Sequence, residues 1–151
     1  MKTNRLFIDC EFTSPELDAN IISIGLVSED GARNFYREIE DTWTVDECSW
    51  SELKQWIESF VQPVQIWGDG GVQKDFSALL YILGKSWPSN LERSSYRILH
   101  ENMPSEMAYD YSIYFEDAFD RPDAKRHHAL WDACLAKNAY HLARNQLKWK
   151  V

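Results

Sequence analysis

The chain has 151 residues, 44% of them hydrophobic and 26% charged, with a formal charge of −8, which is the size and composition of one globular domain over 1–151. The acidic surplus excludes a protein that wraps a long nucleic-acid backbone through a basic stripe, while allowing one that touches a few nucleotides through bound cations. No stretch approaches the ~18 to 20 continuous apolar residues of a membrane span, and the polar opening lacks the apolar core of a secretory signal, so a cytoplasmic location without membrane partners is expected.

In chain order, "RLFIDCEF", "NIISIGLVSED" and "ARNFYREIE" read as three strands of an antiparallel meander, with "EDGA" as the turn between the last two. "SWSELKQWIESFV" places Trp50, Leu53, Trp56, Ile57 and Phe60 at helical spacing, with Ser49 or Ser51 as N-cap. "PVQIWG", bounded by Pro63 and Gly68, suits a buried strand. The segment behind it, "GGVQKDFSALLYILG", puts Phe76, Leu79, Leu80 and Leu83 on one helical face. Residues 86–126 are rich in aromatics and poor in periodicity, and predict loops with a short strand near "SYRIL" and a short helix near "EMAYDYSIYF". The closing "HHALWDACLAKNAYHLARNQL" is strongly helical. Strands mixed with helices, without repeat or linker, point to a layered α/β domain. Cys10, Cys48 and Cys134 have no zinc-like or paired spacing and read as reduced small hydrophobes.

Four carboxylates occupy positions that a surface charge does not choose. Asp9 and Glu11 alternate with Ile8, Cys10 and Phe12, so both project from one face of a strand, where two like charges call for a cation; the bland alternative is a wet face. Asp75 lies in line with Leu79 and Ile82 on the buried edge of its helix. Asp132 lies among Ala129, Leu135, Ala136 and Ala139, a stripe of mostly small residues that lets a helix approach a sheet closely. A carboxylate in such surroundings needs a partner, unless it serves only to complement the helix macrodipole.

Together "FIDCEFT", "WGDGGVQKDFSALL" and "HHALWDA" resemble the three motifs of the DEDDh exonucleases, the DnaQ-like branch of the ribonuclease H-like superfamily, and in particular its compact bacterial and phage exoribonuclease group. The resemblance implies a central mixed sheet, three antiparallel N-terminal strands plus parallel strands, flanked by helices. It also implies two divalent cations, Mg²⁺ with Mn²⁺ as the alternative, held by Asp9, Glu11, Asp75 and Asp132, with His127 as general base. Lys74 departs from the aromatic that many relatives carry before the second-motif aspartate. Asp69 in "GDGG" is a rival ligand, ranked below the four.

Helix geometry and the motif disagree over the histidines. His128 and Asp132 are four apart and share a face of a continuous helix, whereas five residues turn His127 through about 500°. The motif's choice, His127, holds if the helix starts at about His128 or Ala129, leaving His127 on the entering loop. The implied reaction is hydrolysis from the 3′ end of single-stranded RNA or a 3′ overhang, releasing nucleoside 5′-monophosphates. Thr13 is expected at the terminal sugar, Phe12 at its base or in the core, and Lys74, Lys125 and Arg126 at phosphates. The alternatives are a DNA exonuclease of proofreading or trimming type, a hydrolase of very short oligonucleotides, and an inactive nucleic-acid- or protein-binding module of the same fold. The aromatic surplus in 86–119 raises the further expectation of a homodimer.

Overall fold

Alternation along Asn4–Phe12 (β1) builds the central strand: Leu6, Ile8 and Cys10 enter one core cluster, while Phe7 enters another on the opposite face, which Asp9 and Glu11 share by parity. The computed structural model describes residues 3–16, 19–39, 47–98, 105–122, 124–125 and 128–145, with all side chains among these except those of 47–49, 105–108 and 111. Ile21–Ser28 (β2) pairs antiparallel with β1, setting Asp9 opposite Gly25 and Glu11 opposite Ser23, and the register shifts between Glu11 and Phe12. Asn34–Glu38 (β3) pairs antiparallel with β2, setting Gly25 opposite Tyr36. The turn between them needs Gly31, whose φ of 71° lies in the left-handed region. On the other side of β1, Val64–Gly68 (β4) runs parallel to it, and Leu91–Arg97 (β5) runs parallel to β4. The result is a five-stranded mixed sheet of order β3-β2-β1-β4-β5.

Helices cover both faces. Glu47–Glu58 (α1) and Val72–Leu83 (α2) bury Leu53, Ile57, Val72, Phe76 and Leu79 against Leu6, Ile8 and Ile66. Ser105–Phe119 (α3) lies against Ala129–Asn145 (α4), with Phe119 5.6 Å from Trp131 between ring centroids. The inner face of α4 presents Ala133, Ala136, Ala139 and Tyr140 to Phe7, Val27 and Trp67. Tyr140 is fully buried, 5.2 Å from the Phe7 ring and 5.4 Å from the Trp67 ring. Side chains of this size contribute roughly 1.5–3 kcal/mol each when wholly removed from water, so the two clusters carry the sheet between them. Among the described residues no helix is long and apolar enough to cross a membrane.

The expected α/β arrangement, an antiparallel N-terminal meander continued by parallel strands, is the one observed. Four details differ. Helix α1 begins at Glu47, so Ser49 and Ser51 lie inside it and neither is the N-cap. Leu80 is 37% exposed rather than on the buried face, because the stripe runs through Asp75, Phe76, Leu79, Ile82 and Leu83, leaving Leu80 about 100° off its axis. Strand β5 starts at Leu91, before "SYRIL", since an edge strand with polar Glu92, Arg93 and Ser94 gives little apolar signal. Helix α3 is longer than "EMAYDYSIYF", reaching from Ser105 to Phe119.

Candidate metal centre

The centre forms where β4 falls short. Pairing between β1 and β4 stops at Phe7 and Trp67, so residues 9–12 of β1 have no β4 neighbour. The amide of Cys10 on that side donates instead to Asp75 Oδ1, at 3.2 Å. Asp75 comes from the first turn of α2, is 6% exposed, and reaches the strand because Gly68, Asp69, Gly70 and Gly71 turn the chain sharply into the helix. From the opposite face the first turn of α4 brings Asp132 to the pair on β1. One carboxylate oxygen from each of Asp9, Glu11 and Asp132 can lie within 4.8 Å of the others. The four carboxylates picked out by their positions therefore converge on the unpaired end of β1, two from the strand and one from a helix on each face.

Convergence of like charges shows in their protonation. Burial, then the charges of Asp75, Asp132, Glu11 and Asp69, pushes the Asp9 carboxyl up to about 10. Asp75 is pushed up to about 8 by burial and then by Asp69, while the Cys10 amide and the Lys74 charge oppose the shift. Asp132 is raised by burial, then by the charge of Glu11 and a hydrogen bond with it, then by Asp69. Burial, with the charges of Asp75, Asp9 and Glu11, raises the Cys10 thiol, so this cysteine stays a protonated hydrophobe.

The residues fit a hard divalent cation. All donors are carboxylate oxygens, the set that suits Mg²⁺ or Mn²⁺ rather than a soft metal. Asp132 Oδ1 is buried without a hydrogen-bond partner among the described residues, an orphaned acceptor that costs stability unless something positive meets it.

The structure distributes the other expected residues unevenly. His128 is the residue before α4: its Nδ1 accepts from the Trp131 amide at 3.4 Å, its carbonyl accepts from the Asp132 amide at 3.0 Å, and its ring stacks on Tyr36 at 4.5 Å and 13°. It is a helix-start residue, as the loop-entry reading requires, with its ring committed to β3. His127 and Arg126 lie outside the described residues. Lys74 Nζ donates to the Ser14 carbonyl at 3.0 Å and sits 4.1 Å over the Phe12 ring, so it ties the end of β1 to α2. Phe12 is half-buried against the α1/α2 core, the packing alternative for this residue. Thr13 is exposed, and its Oγ1 accepts from the Asn20 amide at 3.1 Å. Lys125 is exposed. Lys74→Met is expected to lower stability by about 1 kcal/mol through the lost carbonyl and ring contacts. Urea unfolding with an unchanged midpoint rules that tie out.

Asp69, the rival ligand, accepts from the Gly71 amide at 3.0 Å and acts electrostatically on Asp9, Asp75 and Asp132, but it is not among the three residues whose carboxylate oxygens lie within 4.8 Å of one another. One contribution is hard to see in the sequence. Arg97, at the end of β5, donates to the Gly70 carbonyl at 3.0 Å and stands exposed beside the same loop; only the strand topology brings it there. No model of a known protein family matches the chain, and no curated protein matches it.

Proposed function

We propose that the protein is a metal-dependent 3′-to-5′ exonuclease of the ribonuclease H-like, DEDDh type, acting on single-stranded RNA ends or 3′ overhangs. The observation that carries this reading is the meeting of Asp9, Glu11 and Asp132 within 4.8 Å beside the buried Asp75. The strand order supports the fold assignment, since the first three strands are antiparallel, the next two parallel, and the carboxylates sit at the junction of the two halves. Asp9, Glu11, Asp75 and Asp132 would hold two divalent cations. When bound, such ions supply positive charge that offsets the charge developing on a phosphodiester under attack and ease deprotonation of water.

The chain's own groups then have separate tasks. The Cys10 amide and Lys74 steady Asp75, and the first turn of α4 presents Asp132. His127, assigned by motif spacing, takes a proton from the attacking water. The water oxygen forms a bond to phosphorus as the bond to the 3′ oxygen of the preceding nucleotide breaks and that oxygen takes a proton from solvent, giving a nucleoside 5′-monophosphate and a strand ending in a 3′ hydroxyl. Thr13, exposed just past the end of β1, would meet the sugar of the terminal nucleotide, while Phe12 packs against the core beside it. A site built of carboxylates, with few basic side chains beside it among the described residues, suits a strand end that arrives with its counterions, rather than a long duplex.

A time course on matched 5′-labelled single-stranded RNA and DNA, with Mg²⁺, with Mn²⁺ and with chelator, tests the reading. A ladder shortening from the 3′ end only with metal is expected, faster on RNA. Faster loss of DNA moves the assignment to a DNA exonuclease, and intact substrates with retained binding move it to an inactive module.

A further inference from the structure

One row of residues crosses three strands beneath the start of α4: Asp9 on β1 pairs with Gly25 on β2, which pairs with Tyr36 on β3. Paired residues point to the same face, so each member of this row meets the same turn of helix. Tyr36 carries the His128 ring, and His128 accepts the Trp131 amide and thereby caps the helix. Gly25 carries the backbone itself: a Cβ built there lies 2.3 Å from the Leu130 nitrogen and 2.5 Å from the Ala129 carbonyl carbon. Asp9 receives Asp132, two residues further along.

We propose that Gly25 and the Tyr36–His128 stack are positioning residues for the metal centre, forming the seat that brings Asp132 to Asp9 and Glu11. The proposal rests on the metal-centre reading above and adds to it which residues outside the ligand set decide ligand geometry. Backbone atoms give way only by moving the helix, and relieving 2.3 Å to the ordinary 3.5 Å or more of non-bonded carbon contact takes about 1 Å. Ligand distances at a hard cation tolerate only about 0.2 Å. A methyl group at position 25 therefore removes Asp132 from the ligand set without touching it. The stack acts more gently, since losing it frees the cap and the tilt of the first turn while the sheet contact remains.

Mn²⁺ titration monitored by electron paramagnetic resonance, on the full chain, provides the test without reference to cleavage. Gly25→Ala is expected to bind Mn²⁺ at least ~10-fold more weakly than the wild type, in the range seen when groups supporting a ligand are lost. Tyr36→Ala weakens binding less, and Tyr36→Phe, which keeps the stack, restores it. In an Asp132→Asn background Gly25→Ala adds no further loss, because the residue it positions is already disabled. Far-UV circular dichroism verifies that the variants are folded; should Gly25→Ala not fold, the comparison of Tyr36→Ala with Tyr36→Phe decides. Wild-type affinity in both Gly25→Ala and Tyr36→Ala, or an additive loss in the double variant, overturns the positioning role while leaving the centre intact. Absence of Mn²⁺ binding by the wild type, by contrast, removes the centre and the seat together.

Discussion

Asp9→Asn is expected to abolish metal-dependent cleavage, with a loss of at least ~10²-fold, and at the same time to raise the thermal stability of the metal-free protein. The two effects have one cause. Asp9 stands at the middle of the acidic group, influenced by Asp75, Asp132, Glu11 and Asp69, and these charges together with burial push its carboxyl up to about 10. At neutral pH the folded chain has to hold this carboxyl protonated, a cost the unfolded chain does not bear; an amide keeps the neutral shape without that cost, while a ligand is lost. A residue retained for packing alone would show the reverse, with lower stability and preserved turnover. Scanning calorimetry in chelator, paired with the oligonucleotide time course, separates these cases; retained cleavage in Asp9→Asn takes the residue out of the ligand set.

The second large effect is on the pH dependence of the metal-free fold. Asp9 is raised to about 10 and Asp75 to about 8, and Asp132 is raised as well, all from unfolded values near 3.8. The folded chain thus holds protons that the unfolded chain releases. Stability from these groups is fully present below the unfolded values and is lost progressively as pH climbs through the folded ones. Each proton released on unfolding changes stability by about 1.4 kcal/mol per pH unit, worth several degrees in Tm for a chain of this size. In chelator, Tm is expected to fall from pH 5 to pH 9. A divalent cation favours the deprotonated carboxylates, so its stabilising effect grows over the same interval. A metal-free Tm that is flat or rises across that range contradicts the buried, mutually repelling arrangement.

Local patterns exposed much of this arrangement. The period-two alternation of "FIDCEF" places Asp9 and Glu11 on one face, and the structure puts them there, on the side of Phe7. The small-residue stripe around Asp132 marks a close helix–sheet approach, and Ala129, Ala133, Ala136 and Ala139 are all buried in it. What escaped depends on distant partners. The glycine in "ISIGLV" interrupts an apolar strand, a mark of a close backbone approach. That its visitor is Leu130, and that Asp9 and Tyr36 flank it, follow from cross-strand register, which no single segment encodes. Asp75 is legible as a misplaced charge, yet its hydrogen bond to the Cys10 amide exists only because β4 ends early. Arg97 and the true start of β5 were hidden for a related reason, since a polar edge strand looks like a loop until it is paired.

The unequal lengths of β1 and β4 have a consequence for how such a protein can change over time. Were β4 to continue by another rung, its carbonyl would claim the Cys10 amide that Asp75 now holds, and the gap joining the two faces of the sheet would close. An insertion that delays the chain's departure from the sheet after Gly68 would take away the amide that Asp75 holds, even if the fold survives it. Length at this loop is thereby constrained by the place of exit, as identity is by the turn that delivers Asp75.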